Sequence, residues 1–193
     1  MFGMKKLLII LVLFLSLLGC ERNYIKDFKI EGIGLGDSLL DHFSEENILN
    51  NQMNYFQNNE FKESVFVTTN ISSEYDDISV MYRNNDEKFI VESIQGGIFY
   101  DNNVKECYPK KDEIIENLSS LLKDVEWTNN NYEDDDGSFE YTRTELKSGE
   151  YIVVQCYDWN KKIEKEKEWT DHLRVSIESK EYYYWINFVA VPN

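Results

Sequence analysis

The apolar positions of this chain follow three rhythms. From Leu7 to Leu18 they are broken only by Ser16. In the middle they recur at helical spacing, and elsewhere they alternate with polar residues. The helical rhythm appears twice. Leu39, Leu40 and Phe43 fall on one helical face behind Ser38 and Asp41, an [ST]-x-x-[DE] capping pattern, and Ser44 opens a second such pattern before Ile48 and Leu49. This predicts one bent helix or two short ones. A stronger helix follows Pro109, with Ile114, Ile115, Leu118, Leu121, Leu122 and Val125 spaced to make one buried face, and Asp112 and Glu113 near the positive end of its dipole.

Alternation predicts strands. Val65 and Val67 alternate with Phe66 and Thr68, and Ile78, Val80 and Tyr82 with Ser79, Met81 and Arg83. "KFIVESI" follows the turn-like "NNDE". After the second helix the predicted strands are "SFEYTRTEL", "YIVVQCYDW", "LRVSIES" and "YYYWINFVAV", with a turn at Ser148 and Gly149 and a charged loop "NKKIEKEKE" between them. The expected fold class is therefore α+β, antiparallel sheet packed by two main helices, with a helix-then-strands order occurring twice. Residues 28–193 make a single domain with two possible halves, 28–103 and 104–193, meeting in the polar stretch "DNNVKE". Two arrangements satisfy that order: two small sheets, or one continuous sheet with both helices on one face.

The near-continuous block changes the picture of the N-terminus. Lys5 and Lys6 precede twelve almost wholly apolar residues, and Gly19 follows, the layout of a secretory signal over residues 1–19. Twelve helical residues reach roughly 18 Å against a hydrocarbon core of about 30 Å, so export is expected rather than a retained span. The segment "LSLLGC" resembles the lipobox of bacterial lipoproteins, with Leu17, Leu18 and Gly19 before Cys20. That resemblance implies that Cys20 becomes the lipidated N-terminus, that residues 20–27 form a short tether, and that the protein is extracytoplasmic and membrane-anchored. With Glu21 next, it implies the outer membrane of a cell that has two. In element order alone, the mature part is similar to small envelope assembly lipoproteins and to the tandem αβ fold of β-lactamase inhibitor proteins.

Charge narrows the partners. With 36 acidic and 20 basic residues the chain carries −16, and loss of Lys5 and Lys6 makes it two units more negative. A phosphate backbone is repelled by such a surface, so no nucleic-acid partner is expected.

Candidate chemistry is sparse. "GDSL" at 36–39 is the four-letter signature of a serine esterase family, but the chain holds no Gly-x-Asn-Asp block and no Asp-x-x-His near its end. A serine without a base in reach is not activated, and Ser38 reads as a helix cap. His42 and His172 each follow an Asp whose side chain diverges from theirs. His172 is expected on the outer strand face with Arg174, Ser176 and Glu178. The run "EDDDG" lacks the ligands of a calcium loop and reads as a polar loop with an Asp-Gly turn. No catalytic residue, metal or cofactor is therefore assigned. Once Cys20 is given to lipid, Cys107 and Cys156 remain for a disulfide in an oxidising compartment, tying the start of the second helix to the sheet, the alternative being two buried unpaired thiols. In "EYYYWINF", Tyr183 and Trp185 on one strand face are the candidate binding face, the alternative being core packing. The functional expectation is a lipid-anchored cell-envelope protein acting as a non-catalytic binding or assembly module with an envelope protein partner. The alternatives are an extracytoplasmic inhibitor or ligand-binding protein and a hydrolase.

Overall fold

The computed structural model describes residues 28–53, 59–68, 74–101, 103–122 and 124–190. The expected signal, the tether and Cys20 lie outside the described residues. Among the described residues no helix is long and apolar enough to cross a membrane.

Eight strands form one open antiparallel sheet: β1 (Gln52–Met53), β2 (Phe61–Val67), β3 (Asp77–Arg83), β4 (Val91–Phe99), β5 (Thr128–Glu133), β6 (Gly137–Glu145), β7 (Tyr151–Trp159) and β8 (His172–Glu178). Their spatial order is β1-β2-β3-β4-β8-β7-β6-β5. Each half of the chain thus supplies a four-stranded meander. The two meet along β4 and β8, where Ile94 pairs with Ile177 and Gly96 with Val175. Of the two arrangements compatible with the sequence, the continuous sheet is the one adopted.

Alternation decides which side is core. Val80, Ile94, Ile177, Ile152 and Val154 are fully or almost fully buried on one face, the inner face. A 3-10 turn (Leu39–Asp41), α1 (Glu45–Asn50) and α2 (Cys107–Leu121) lie there, and Leu39, Ile48, Leu118 and Leu122 join the same apolar cluster. The first helical region is two short pieces with separate caps. Ser44 Oγ accepts from Asn47 N, while Ser38 Oγ accepts from Leu40 N and donates to the Lys88 carbonyl at 2.6 Å. With both roles of its hydroxyl taken up by backbone, Ser38 is a cap that also pins the turn to the chain entering β4. Ser38→Ala is expected to cost about 1 kcal/mol in urea denaturation through the lost cap. Within these helices Leu40 and Leu121 point outward at 43% and 66% exposure, so the buried stripes are narrower than the sequence suggested.

Cys107, in the first turn of α2, is bonded to Cys156 of β7 across a Cα–Cα distance of 6.0 Å. The bridge fastens the helix start to the sheet, as expected.

Besides the two-residue β1, three elements differ from expectation. "TNNNYE" is strand β5 despite lacking apolar alternation, because its partner β6 supplies a regular six-residue register along the sheet margin. The charged loop contains α3 (Lys161–Lys167), capped by Asn160 Oδ1, which accepts from Lys162 N and Ile163 N, with Ile163 as its one buried side chain. The aromatic segment expected as a fourth C-terminal strand is α4 (Lys180–Phe188). Ser179 caps it, and Tyr182 and Trp185, three apart, turn inward together.

Candidate binding face

The outer face of the sheet holds the chemistry. α4 covers one end of it, where Tyr182 and Trp185 pack with Phe61 and Met81. This corrects the expectation for Tyr183 and Trp185: in a helix the two point apart. Trp185 is 2% exposed and belongs to the core. Tyr183 stacks on Tyr151 at 3.6 Å between ring centroids, and Arg143 donates to its hydroxyl. They do not form a shared exposed face.

At the opposite end of the same face the strand registers bring five rings into one row. Tyr132 of β5 pairs with Phe139 of β6, Phe139 with Tyr157 of β7, Tyr157 with His172 of β8, and His172 with Phe99 of β4. Adjacent strands lie about 4.8 Å apart, so the row runs roughly 19 Å across the sheet. The rings touch in sequence, stacked between Tyr132 and Phe139 and between Tyr157 and His172, edge-to-face between Phe139 and Tyr157 and between Phe99 and His172. Trp159 stacks beside Tyr157 and meets Trp169 at 4.6 Å, thickening the strip at its centre. Its terminal rings are open, Tyr132 at 57% exposure and Phe99 at 41%.

One register step inward, Asp77 of β3, Gly97 of β4 and Arg174 of β8 stand side by side. Arg174 reaches over Gly97 to Asp77 with a bidentate pair of bonds, Nη1 to Oδ1 at 2.5 Å and Nη2 to Oδ2 at 3.0 Å. A Cβ at position 97 would overlap both groups, so only glycine lets the pair cross the intervening strand. Its neighbour Gly96 makes room on the inner face for the Tyr75 ring in the same way. A step further lie Ser79 and Ser176, both buried, and Ser176 donates to Glu178 Oε1 at 2.7 Å.

This face is buried enough to displace its titrations. Burial pushes the Glu178 carboxyl up to about 7, against the Ser176 hydrogen bond, and raises Glu63 against its bond from Ser79. Burial, helped by the Arg174 charge, lowers His172 to about 4. His172 Nδ1 lies 2.7 Å from the Thr170 carbonyl, which can only accept, so the neutral ring carries its proton on Nδ1. Burial also moves Tyr157 up to about 12. The whole ring row is thus uncharged at neutral pH.

These shifts have opposite consequences for stability. An acid raised in the folded state, such as Glu178, contributes most below its unfolded value near 4.5, and that contribution is lost as pH climbs toward 7. A base lowered in the folded state, His172, contributes above 6.5 and loses its contribution as pH falls toward 4. Between roughly pH 4.5 and 6.5 the two oppose each other. Glu178→Gln is expected to unmask the histidine, so that stability measured by urea denaturation rises with pH across that window more steeply than in the wild type. An unchanged profile would reject the buried-carboxylate account.

The remaining sequence-predicted residues are scattered. His42 is exposed at the end of the 3-10 turn and does not meet His172. In the acidic run, Asp134 Oδ1 accepts from Asp136 N and Gly137 N, making the run the turn between β5 and β6. On the inner side, a polar cleft of about 460 Å³ between α2 and β5–β6 is lined by Lys111, Asn129, Asn131, Glu140 and Thr142. Lys111 is buried there in an ion pair with Glu140. Sequence reasoning placed His172, Arg174, Ser176 and Glu178 on one outer face, and they are there. It missed Tyr132, Phe139, Tyr157 and Phe99, whose only signal was aromatic residues at polar-alternating strand positions. No protein-family model, curated protein or solved structure matches the chain.

Proposed function

We propose that the protein is a lipid-anchored envelope module that binds a protein partner through the aromatic end of its outer sheet face, without catalysis. The observation that carries this reading is the contacting row from Tyr132 to Phe99, its two end rings open to solvent and its Tyr132 end at a margin of the sheet. Rings held by register on a rigid sheet lose little freedom on binding, and aromatic side chains dominate the energetics of protein interfaces. The anchoring part rests on the "LLGC" segment and agrees with the Cys107–Cys156 bond, which persists in oxidising compartments.

Anchoring is tested by Cys20→Ala, expected to shift the chain out of the membrane fraction and abolish acyl labelling. An unmodified wild-type N-terminus other than Cys20 would reject it. Binding is tested by placing a photocrosslinking amino acid at Tyr132 or, on the inner side, at Leu121, in cells. A discrete crosslinked species is expected from position 132 alone. Equal or absent crosslinking at both positions counts against the binding face.

A further inference from the structure

The two margins of the sheet are unlike. On one side the terminal strand β1 is two residues long, a length that offers little to a passing chain. On the other, β5 runs six residues in unbroken register with β6, contains no lysine, proline or bulge, and five of its six residues are exposed. Lysine, proline and bulges are among the devices by which sheet margins are ordinarily blunted, and the one charge within β5 is Glu133 at its end.

Which of its main-chain groups face outward follows from the hairpin. Asp134 N donates to the Gly137 carbonyl at 3.0 Å, so residues 134 and 137 are a hydrogen-bonded pair. Pairs alternate along an antiparallel ladder, so Tyr132, Asn130 and Thr128 bond to β6. Asn129, Asn131 and Glu133 turn their N–H and C=O groups away from it. Among the described residues nothing pairs with that outer side. The side chain of Tyr132, the open end of the ring row, stands at this same margin.

The electrostatics select the occupant. From Asp124 to Thr142 the chain carries seven carboxylates and no Lys or Arg. Of these, Glu140 is paired with Lys111 and Asp124 with Lys147, while the nearby Arg143 donates to Tyr183, so Glu126, Glu133, Asp134, Asp135 and Asp136 have no ion-pair partner among the described residues. A second copy of this chain would bring the same acidic hairpin and a like net charge, so self-pairing is opposed. A chain with lysine or arginine at alternate positions meets both the carboxylates and the face of Tyr132, where a cation is attracted to the ring.

We infer that β5 is a docking edge for an extended, basic segment of a partner protein, which adds to the sheet as a ninth strand with its alternate side chains continuing the ring row. This rests on the binding-face reading and names the partner's form and charge.

The test uses a fluorescent peptide of alternating Lys and Val, seven residues long, and its Glu-Val counterpart, with the full chain in detergent. Saturable binding of the basic peptide that weakens as salt is raised is expected, with slowed hydrogen exchange at the amides of Asn129, Asn131 and Glu133. Asn131→Pro removes one outward donor without touching the ladder to β6 and is expected to weaken binding at least tenfold. Asn131→Lys, which keeps the backbone intact and adds a repelling charge, is expected to weaken it at least threefold. No binding, equal binding of the acidic peptide, undiminished binding by both variants, or a dimer whose β5 amides are already protected would each overturn the docking edge. The wider reading fails separately: crosslinks missing at Tyr132 while the peptide still protects β5 would reject the envelope partner and leave the edge standing.

Discussion

Asp77→Asn is expected to destabilise the protein by about 3–5 kcal/mol, the range for breaking one half of a buried ion pair. Asp77 is 4% exposed, and the variant strands the Arg174 guanidinium, itself largely covered, over Gly97 with its charge uncompensated. Replacing both partners with apolar residues, Asp77→Val with Arg174→Met, is expected to recover most of the loss, because the chief penalty lies in leaving one charge unpaired. Urea denaturation of the two single variants and the double variant measures the coupling directly. A single-variant loss under about 1 kcal/mol would mean that the pair is solvated in solution. Gly97→Ala should produce a loss of similar sign with both charges still present, since the added methyl group drives the pair apart.

Removing the covalent bond should be comparably costly. Cys107 and Cys156, 49 residues apart, close a loop whose release in the unfolded chain corresponds to about 4 kcal/mol on the chain-entropy scale, with native strain and residual unfolded structure reducing it. Both cysteines are essentially fully buried, so Cys107→Ala with Cys156→Ala also loses packing at the start of α2. The double variant is expected to melt well below the wild type. Titration of the denatured, unreduced protein should find no free thiol from this pair. Finding two would show that the bond does not form in solution.

The parts of the fold that were legible in the sequence are those where one side is apolar and the other is not. α2 declared itself through Ile114, Ile115, Leu118 and Leu122, and β8 through Leu173, Val175 and Ile177. Where that contrast fails, local reading fails with it. In α4 the run Tyr182 to Trp185 has the residue types that favour strands, yet the Ser179 cap and the inward turn of Tyr182 and Trp185 onto Phe61 and Met81 make it a helix. In β5 three consecutive asparagines offer no pattern at all, and the strand exists because β6 is beside it. The ring row was illegible for a different reason. Its members come from five strands, and only the junction of β8 with β4 places Phe99 next to His172, a relation carried by sheet order rather than by any stretch of chain.

That junction also sets an order of events during synthesis. The first meander, β1 to β4, consists of near-neighbour pairings and can assemble as soon as it emerges, whereas β4 must wait for β8, the last strand made. Asp77 and Arg174, which meet across it, are 97 residues apart. Until then β4 is an open strand flank carrying Val91, Ile94 and Ile98, available for pairing with a neighbouring molecule. The late closure makes holding that flank apart, for as long as the second half takes to arrive, the principal demand this protein places on whatever escorts it.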